Sequence, residues 1–176
     1  IAPRPGQPAG DSQQILLTGA TGFLGAYLLH NFMRQSDARI TCLVRCKDTE
    51  DGLRRLHDNL TAYGLPTENL STRVEVVPGD LQQDQLGLPP EKFLQLAKKI
   101  GIIFHNGAVV NFIKPYPELR AVNVGATHEL LRLAVSEKLK KIYYVSSLAS
   151  TPLNKSSMRE EEDLGAASSV AGGYGQ

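Results

Sequence analysis

The sequence has only two cysteines, Cys42 and Cys46, among its 176 residues. Two cysteines are too few for the disulfide framework of a small secreted domain, and their spacing differs from the Cys-x-x-Cys pattern of redox and metal sites. The net charge is only +1, so bulk electrostatics give no reason to expect a nucleic-acid or membrane partner. We therefore expect two reduced thiols, no metal site and neither of those partners.

Long hydrophobic runs are also missing. No apolar stretch approaches the length of a transmembrane span, and the N-terminus lacks the charged-then-apolar pattern of a signal peptide. A cytoplasmic protein is the expectation. The hydrophobic content of 41% and charged content of 21% are ordinary for a globular protein, and 176 residues are enough for one domain with a core.

The composition divides the chain into two parts. Residues 1–13 are rich in proline and glycine and have no periodic apolar face, which predicts a linker or N-terminal arm with a neighbour upstream. Residues 14–176 are interpreted as one domain, whose apolar periodicity fades into a predicted loop after Ser150.

Short apolar runs alternate with helical patterns through this domain. Strands are predicted over 14–19, 39–45, 73–80, 100–108 and 140–147. Helices are predicted from the spacing of Leu24, Leu28 and Phe32, over 48–64 and 89–99, and as one long helix from Leu119 to Leu133. This order predicts an α/β fold of the Rossmann type, with a doubly wound parallel sheet covered by helices on both faces.

The most informative segment is "LLTGATGFLGAYLL", which joins the first strand to the first helix. Glycines there allow the backbone to approach a dinucleotide pyrophosphate, and the helix N-terminus offers free N–H groups to the phosphates. The third glycine would let helix and strand pack closely. The residues predicted to bind the cofactor in this segment are Thr18, Gly19, Thr21, Gly22, Phe23, Leu24 and Gly25.

The end of the second strand indicates which dinucleotide is bound. NAD sites usually place an acid there for the ribose hydroxyls, but this chain has Arg45, followed by Arg54 and Arg55 on the next helix. A guanidinium can hold the extra 2′-phosphate of NADPH through two parallel hydrogen bonds. We predict NADPH as the cofactor, although one of the two helix arginines is expected only to form a solvated face.

Two further strand ends carry candidate cofactor contacts. In "GDL", Asp80 could accept from the adenine amino group while Leu81 packs on the ring, or the triplet could be an ordinary turn. In "HNGA", Asn106, Gly107 and Ala108 are predicted to pass close to the cofactor. His105 is interpreted as a satisfied strand-end histidine, because no acid or second histidine is spaced to join it.

Together, "TGATGFLG", "LVR", "GDL", "HNGAVVNF", "PYPELRAVNV" and "YVSS" occur in the order found in extended short-chain dehydrogenase/reductases. Within that family the chain most resembles the thioester reductase domains of nonribosomal peptide and polyketide synthetases, a module shared with carboxylic acid reductases and α-aminoadipate reductase. The resemblance covers residues 14–176. It implies the N-terminal, NADPH-binding portion of a reductase domain.

The resemblance also implies site residues. Arg45 and Arg55 match basic residues that the family associates with NADPH preference. Ser147 matches the catalytic Ser/Thr of the family, Tyr174 in "AGGYGQ" matches its tyrosine, and Asn123 matches the asparagine that supports the active-site hydrogen bonds. The family's lysine would fall two positions beyond Gln176, so we expect this chain alone to bind cofactor without useful turnover.

The activity implied is NADPH-dependent release of an acyl or peptidyl thioester as an aldehyde or alcohol. The thioester would be held on the phosphopantetheine of an upstream carrier protein. Two alternatives remain open at this point: a nucleotide-sugar epimerase or dehydratase of the same fold, and a non-catalytic NAD(P)-sensing module.

Overall fold

The computed structural model describes residues 13–150 together with Arg159, Glu161 and Tyr174. The predicted N-terminal arm lies outside these residues except for Gln13, and so does the predicted loop after Ser150 except for the three residues just named.

Five parallel strands form one sheet. They are β1 (Gln14–Thr18), β2 (Arg39–Val44), β3 (Val74–Pro78), β4 (Ile102–His105) and β5 (Lys141–Tyr144). Their order across the sheet is β3-β2-β1-β4-β5, so the chain moves outward from β1 in one direction and then returns to its other side. This confirms the doubly wound sheet predicted from the strand–helix alternation. In such sheets ligands bind at the carboxyl ends of the strands where the winding reverses, which here is the gap between β1 and β4.

Among residues 13–150, six α-helices connect or follow the strands. They are α1 (Phe23–Gln35), α2 (Thr49–Ala62), α3 (Leu70–Arg73), α4 (Pro90–Lys99), α5 (Tyr116–Arg120) and α6 (Ala126–Val135). The short α3 is absent from the sequence interpretation, because four residues are too few to show a helical period.

Two hydrophobic cores lie on opposite faces of the sheet. One contains Leu16 of β1 and Ile103 of β4 with the apolar sides of α4 and α6. The other contains Leu17 of β1 with residues of α1 and α2. Neighbouring residues of β1 therefore enter opposite cores, which is the two-residue period of a strand covered on both faces.

The predicted long helix is interrupted. A π turn, Ala121–Gly125, separates α5 from α6, and the buried residues Leu119, Val122 and Ala126 keep one apolar stripe through it. The buried residues keep the three- and four-residue spacing of an ordinary helix across the π turn, so the apolar pattern of the sequence could not reveal the turn. Such turns occur frequently at functional sites, and this one carries Asn123.

Within the described part of the chain, no helix combines the length and hydrophobicity that crossing a membrane requires. Cys42 is fully buried in β2 and Cys46 is partly buried just after it, and both are free thiols as expected. Burial raises the pKa of both thiols.

Candidate functional site

A cleft of about 520 Å³ opens at the carboxyl ends of the strands. Of the residues predicted from the sequence, the cleft is lined by Gly19, Thr21, Gly22, Phe23, Leu24, Arg45, Arg55, Asp80, Leu81, Asn106, Gly107, Ala108 and Tyr174. Residues from six separate segments therefore meet in one cavity. Thr18, Gly25, Asn123 and Ser147 are not among the lining residues.

Each of the three glycines in the turn after β1 is explained by a different property of its position. Gly19 has φ +71, a left-handed conformation that L side chains rarely adopt, and Gly25 leaves no room, because a Cβ there would lie 2.0 Å from the carbonyl oxygen of Gly19. This confirms close packing of helix and turn at Gly25. A Cβ on Gly22 would meet only the Gly19 oxygen, at 3.4 Å, so nothing in the fold itself demands glycine at the edge of the cleft there.

The start of α1 is open to the cleft. No side chain of the described residues caps it, and its first turn has no acidic residue. By contrast, α2 is capped by Asp48, whose carboxylate accepts from the N–H of Asp51 at 2.8 Å. An uncapped helix N-terminus presents N–H groups and the positive end of the helix dipole to an anion. Together with the bare edge at Gly22, this is the arrangement that a dinucleotide pyrophosphate requires, so the residues present fit that cofactor.

The two predicted arginine ligands lie at the rim of the cleft. Arg55 on α2 donates from Nη1 to the carbonyl oxygen of Arg45, and both residues line the cavity. Arg54 instead points away and pairs with Asp51 at 2.5 Å and with Asp58 at 3.5 Å. Arg54 is therefore the member of the pair that forms the solvated face.

Asp80 and Leu81 border the cleft after β3. The Asp80 carboxylate accepts from the N–H of Gln82 at 2.9 Å, which is the ordinary turn that the sequence left open as an alternative. Asp80 nevertheless lines the cavity, and a carboxylate oxygen has capacity for further hydrogen bonds. Leu81 packs so close to the chain after β4 that a Cβ on Gly107 would lie 2.4 Å from its Cδ1.

Thr18 does not reach the cleft. It is fully buried, and its hydroxyl accepts from the N–H groups of Asn106 at 3.2 Å and Gly107 at 2.9 Å. Our prediction that Thr18 contacts the cofactor is therefore wrong for its side chain, because packing of β1 between β2 and β4 places it beneath the floor of the cavity. Asn106 adds a hydrogen bond from Nδ2 to the carbonyl oxygen of Gly19 at 3.3 Å, so the two loops are tied to each other.

His105 is buried beside Thr18, with its Nδ1 2.8 Å from the threonine hydroxyl and its Nε2 3.4 Å from the hydroxyl of Thr127. This confirms the interpretation of a satisfied strand-end histidine. Burial lowers the pKa of His105 to about 4, because an apolar environment penalises the charged ring.

The three predicted catalytic residues differ in placement. Tyr174 lines the cleft, and its ring meets that of Phe112 edge-on with 5.2 Å between centroids. Asn123 lies behind the cleft and binds the backbone of Val109. Ser147 is exposed, and its carbonyl oxygen accepts from the N–H and hydroxyl of Ser150. Its neighbour Ser146 lines the cavity.

Asn59 and Val122 are among the residues of the site that sequence reasoning missed. Asn59 on α2 donates to the carbonyl oxygens of Ala20 and Gly22, both at 3.2 Å, and so supports the glycine-rich turn from 37 to 39 residues away. Val122 supplies an apolar wall of the cavity. Neither contact leaves a local signal, because each joins elements that are distant along the chain.

A second depression of about 570 Å³ lies between α2 and α3. It is slightly larger than the cleft, but its charged residues include Arg54 and Asp51, which already pair with each other. It lies away from the glycine-rich turn, and we assign it no function.

Comparisons with known proteins agree with this geometry. The family model NAD_binding_4, described as male sterility protein, matches residues 17–171. A linear gramicidin synthase chain of Brevibacillus parabrevis is 44% identical over 165 residues, which are 92% of this chain and 3% of that protein.

Solved structures agree as well. The terminal R domain from the myxalamid PKS-NRPS biosynthetic pathway is similar with a TM-score of 0.91 and 46% identity, over 96% of this chain and 44% of that one. A thiolation-reductase di-domain from an archaeal non-ribosomal peptide synthetase is similar with a TM-score of 0.66 and 25% identity, over 78% of this chain and 28% of that one.

The chain thus spans less than half of the R domain and a small part of the synthetase that it resembles. The structural match covers nearly all of this chain, and the family model includes the cleft-lining residues named above except Tyr174. The chain belongs to the thioester reductase domains of peptide and polyketide synthetases and of aminoadipate and carboxylic acid reductases, within the extended short-chain dehydrogenase/reductases, and carries their NAD(P)-binding Rossmann part.

Proposed function

We propose that this chain is the cofactor-binding part of an NADPH-dependent reductase that releases a carrier-bound acyl or peptidyl thioester as an aldehyde or alcohol. One observation carries the proposal: Tyr174 lines the same cleft as the glycine-rich turn. A residue with a hydroxyl group therefore borders the cavity that fits a dinucleotide, which supports the proposal. A module that only sensed the dinucleotide would have no need of that hydroxyl.

The preference for NADPH over NADH rests on Arg45 and Arg55. Both line the cleft at the end of β2, where an NAD site usually has an acid. The hydrogen bond from the Arg55 side chain to the Arg45 carbonyl oxygen holds the Arg55 guanidinium beside Arg45. Two guanidinium groups at one rim favour a ligand with an additional phosphate.

In the proposed reaction the residues of this chain bind the cofactor, orient the thioester and donate a proton to it. When bound, NADPH supplies a hydride to the carbonyl carbon of the thioester. Tyr174 donates its hydroxyl proton to a hydrogen bond with the carbonyl oxygen and so stabilises the negative charge that develops there. Ser147, or its neighbour Ser146 on the cavity wall, would provide a second hydroxyl for the same oxygen.

The overall reaction balances without a covalent enzyme intermediate. Hydride adds to the carbonyl carbon and a proton to its oxygen, which gives a hemithioacetal. The carbon–sulfur bond then breaks, the hydroxyl proton passes to the sulfur, and an aldehyde and a free thiol leave. A second hydride and proton would convert the aldehyde to an alcohol.

The partner we propose is a carrier protein whose phosphopantetheine arm holds the thioester. The similar archaeal structure is a thiolation-reductase di-domain, so thiolation and reductase units are adjacent in that protein. A thiol on a flexible arm is also the leaving group that the reaction needs.

The test uses a protein that continues this chain through the remaining length of the R domain. A pantetheine-linked acyl thioester is supplied and NADPH absorbance is followed, with NADH in a parallel reaction and Tyr174→Phe as the matched variant. The expected result is oxidation of NADPH, much slower oxidation of NADH, aldehyde or alcohol as product, and loss of turnover in the variant.

Two other results would contradict the proposal. NADPH binding without oxidation across several thioesters would favour the sensing module. Turnover of a nucleotide sugar with retained NAD would favour the epimerase alternative, against which the family membership and the two arginines at the rim of the cleft already argue.

A further inference from the structure

A path of hydrogen bonds joins four elements beneath the cleft, and it is buried at Thr18 and His105 and partly buried at Thr127 and Asn123. Thr18 at the end of β1 meets Nδ1 of His105 at the end of β4, at 2.8 Å. The other ring nitrogen, Nε2, lies 3.4 Å from the hydroxyl of Thr127 on α6. That hydroxyl in turn donates to the carbonyl oxygen of Asn123 in the π turn, at 3.2 Å.

Counting protons gives this path a direction. A threonine hydroxyl has one proton and two lone pairs. Thr18 accepts from two backbone N–H groups, those of Asn106 and Gly107, so both lone pairs are used and its proton must point to Nδ1 of His105. Nδ1 is therefore an acceptor without a proton.

The second half of the path follows from the first. A neutral imidazole whose Nδ1 accepts carries its proton on Nε2. Nε2 then donates to Thr127, and the hydroxyl proton of Thr127 is left for the Asn123 carbonyl oxygen. Every donor finds one acceptor, and every bond points from the cleft floor towards the π turn.

We propose that His105 is a positioning residue that, as the neutral ring protonated on Nε2, couples Thr18 to Thr127 and so holds the floor of the cofactor cleft and the Asn123 π turn in one arrangement. The floor is the backbone of residues 106–109. Thr18 holds this backbone at Gly107. Asn123 holds it at Val109, where the asparagine side chain binds both the N–H and the carbonyl group. His105 is the link between these two attachments.

The surroundings of the ring keep it neutral near pH 7. His105 is 2% exposed. Among the described residues, the titratable group recorded against its ring is the phenol of Tyr144 on β5, with 5.3 Å between ring centroids, and no carboxylate or cation is recorded in contact with it. Protonating Nδ1 would place a second donor against Thr18, which would then have to release one of the two backbone N–H groups.

The first experiment needs no variant and no cofactor. The ring nitrogen chemical shifts of ¹⁵N-labelled histidines in the full chain report which nitrogen carries the proton. A neutral His105 with its proton on Nε2 at pH 7 is expected. A proton on Nδ1, or a ring protonated at pH 7, would overturn the proposal, because Thr18 would then be bonded differently.

The second experiment breaks the hydrogen-bonded path at His105 in one variant and at Thr127 in another. His105→Phe keeps a ring but no nitrogen, and Thr127→Val keeps the shape of the side chain but no hydroxyl. We expect amide hydrogen exchange at Asn106, Gly107 and Val109 to accelerate by about tenfold or more in both variants, because each substitution removes two hydrogen bonds of the path. His57→Gln, an exposed histidine on α2, is the control and should leave these rates unchanged.

The third measurement is the dissociation constant for NADPH, which we expect to rise about tenfold in both variants and not in the control. This part rests on the proposed function, whereas the tautomer and exchange measurements do not. Failure of the wild-type chain to bind NADPH would therefore count against the proposed function only. Unchanged exchange at residues 106–109 in Thr127→Val, or in a folded His105→Phe, would overturn the inference itself.

Discussion

Asn123 and Val109 are joined by two hydrogen bonds between one side chain and one backbone unit. The Asn123 amide donates from Nδ2 to the Val109 carbonyl oxygen at 3.1 Å, and its Oδ1 accepts from the Val109 N–H at 2.8 Å. The π turn is thereby attached to the loop that follows β4. Since the side chain is already engaged with the backbone, its contribution to the site is to hold that loop.

Replacing Asn123 should therefore loosen the loop as well as slow the reaction. In Asn123→Leu both polar groups of Val109 lose their partner, and the free energy of unfolding should fall by about 1–3 kcal/mol. Chemical denaturation measures this change. Asn31→Leu is the matched control, since Asn31 lies on α1 with exposed hydrogen bonds. Equal effects of the two substitutions would contradict the role assigned to Asn123.

The glycines at 22 and 25 should separate binding from folding. Gly25→Ala places a methyl group 2.0 Å from the Gly19 oxygen, so we expect destabilisation of about 3 kcal/mol or more. Gly22→Ala meets nothing closer than 3.4 Å and should change stability by less than about 1 kcal/mol. Its methyl group, however, faces the cleft, and NADPH affinity should fall at least tenfold by titration calorimetry. Unchanged NADPH affinity in a folded Gly22→Ala variant would contradict the interpretation that Gly22 leaves room for the cofactor.

Cofactor choice should depend on one arginine of the neighbouring pair. Arg55→Ala should weaken NADPH binding about tenfold or more, since a charge-assisted bond to phosphate is lost, and should leave NADH binding nearly unchanged. Arg54→Ala serves as the control, because Arg54 pairs with Asp51 and Asp58 outside the cleft. Parallel titrations with both dinucleotides measure the effect, and equal losses for the two cofactors would count against a 2′-phosphate site.

Stability should fall in mild acid because of His105. Its pKa is lowered from 6.5 to about 4 in the folded chain, so between these values the unfolded state binds the proton more readily. Stability from this group is complete above about pH 6.5 and declines as the pH falls towards 4, by up to about 3 kcal/mol. Denaturation curves at several pH values, compared with those of His105→Gln, isolate the contribution. A variant with the same pH profile as the wild type would contradict it.

The contact between Phe112 and Tyr174 should matter for turnover. In the extended protein, Tyr174→Phe keeps the edge-on ring contact but removes the hydroxyl, and we expect kcat to fall by about 10²-fold or more. Phe112→Ala keeps the hydroxyl but removes the ring that orients it, a contact worth about 0.5–1.5 kcal/mol, so a loss of up to about tenfold is expected. Ile113→Ala, at a residue 95% exposed, is the control for general effects on this loop.

Much of the fold could be predicted from local sequence. Buried strands such as β1 and β2 are short apolar runs, and α2 shows its start at Asp48 and its end near Gly64, whose φ is +65. The strand–helix alternation then leaves few topologies open, because parallel crossovers keep one hand. The predicted strands 100–108 and 140–147 were too long, since pairing runs only over Ile102–His105 and Lys141–Tyr144.

The sequence by itself determined the dinucleotide cradle, because a glycine string between a strand and a helix records a backbone constraint at the place where it acts. Only the tertiary structure decided which side chains serve the cleft and which lie beneath it. Thr18 and Thr21 are three residues apart, yet the first is buried under the floor and the second lines the cavity. The bonds from Thr18 to His105 and from Asn59 to the glycine turn span 87 and up to 39 residues. Such contacts depend on how β1, β4 and α2 pack together, and no local pattern of residues encodes that packing.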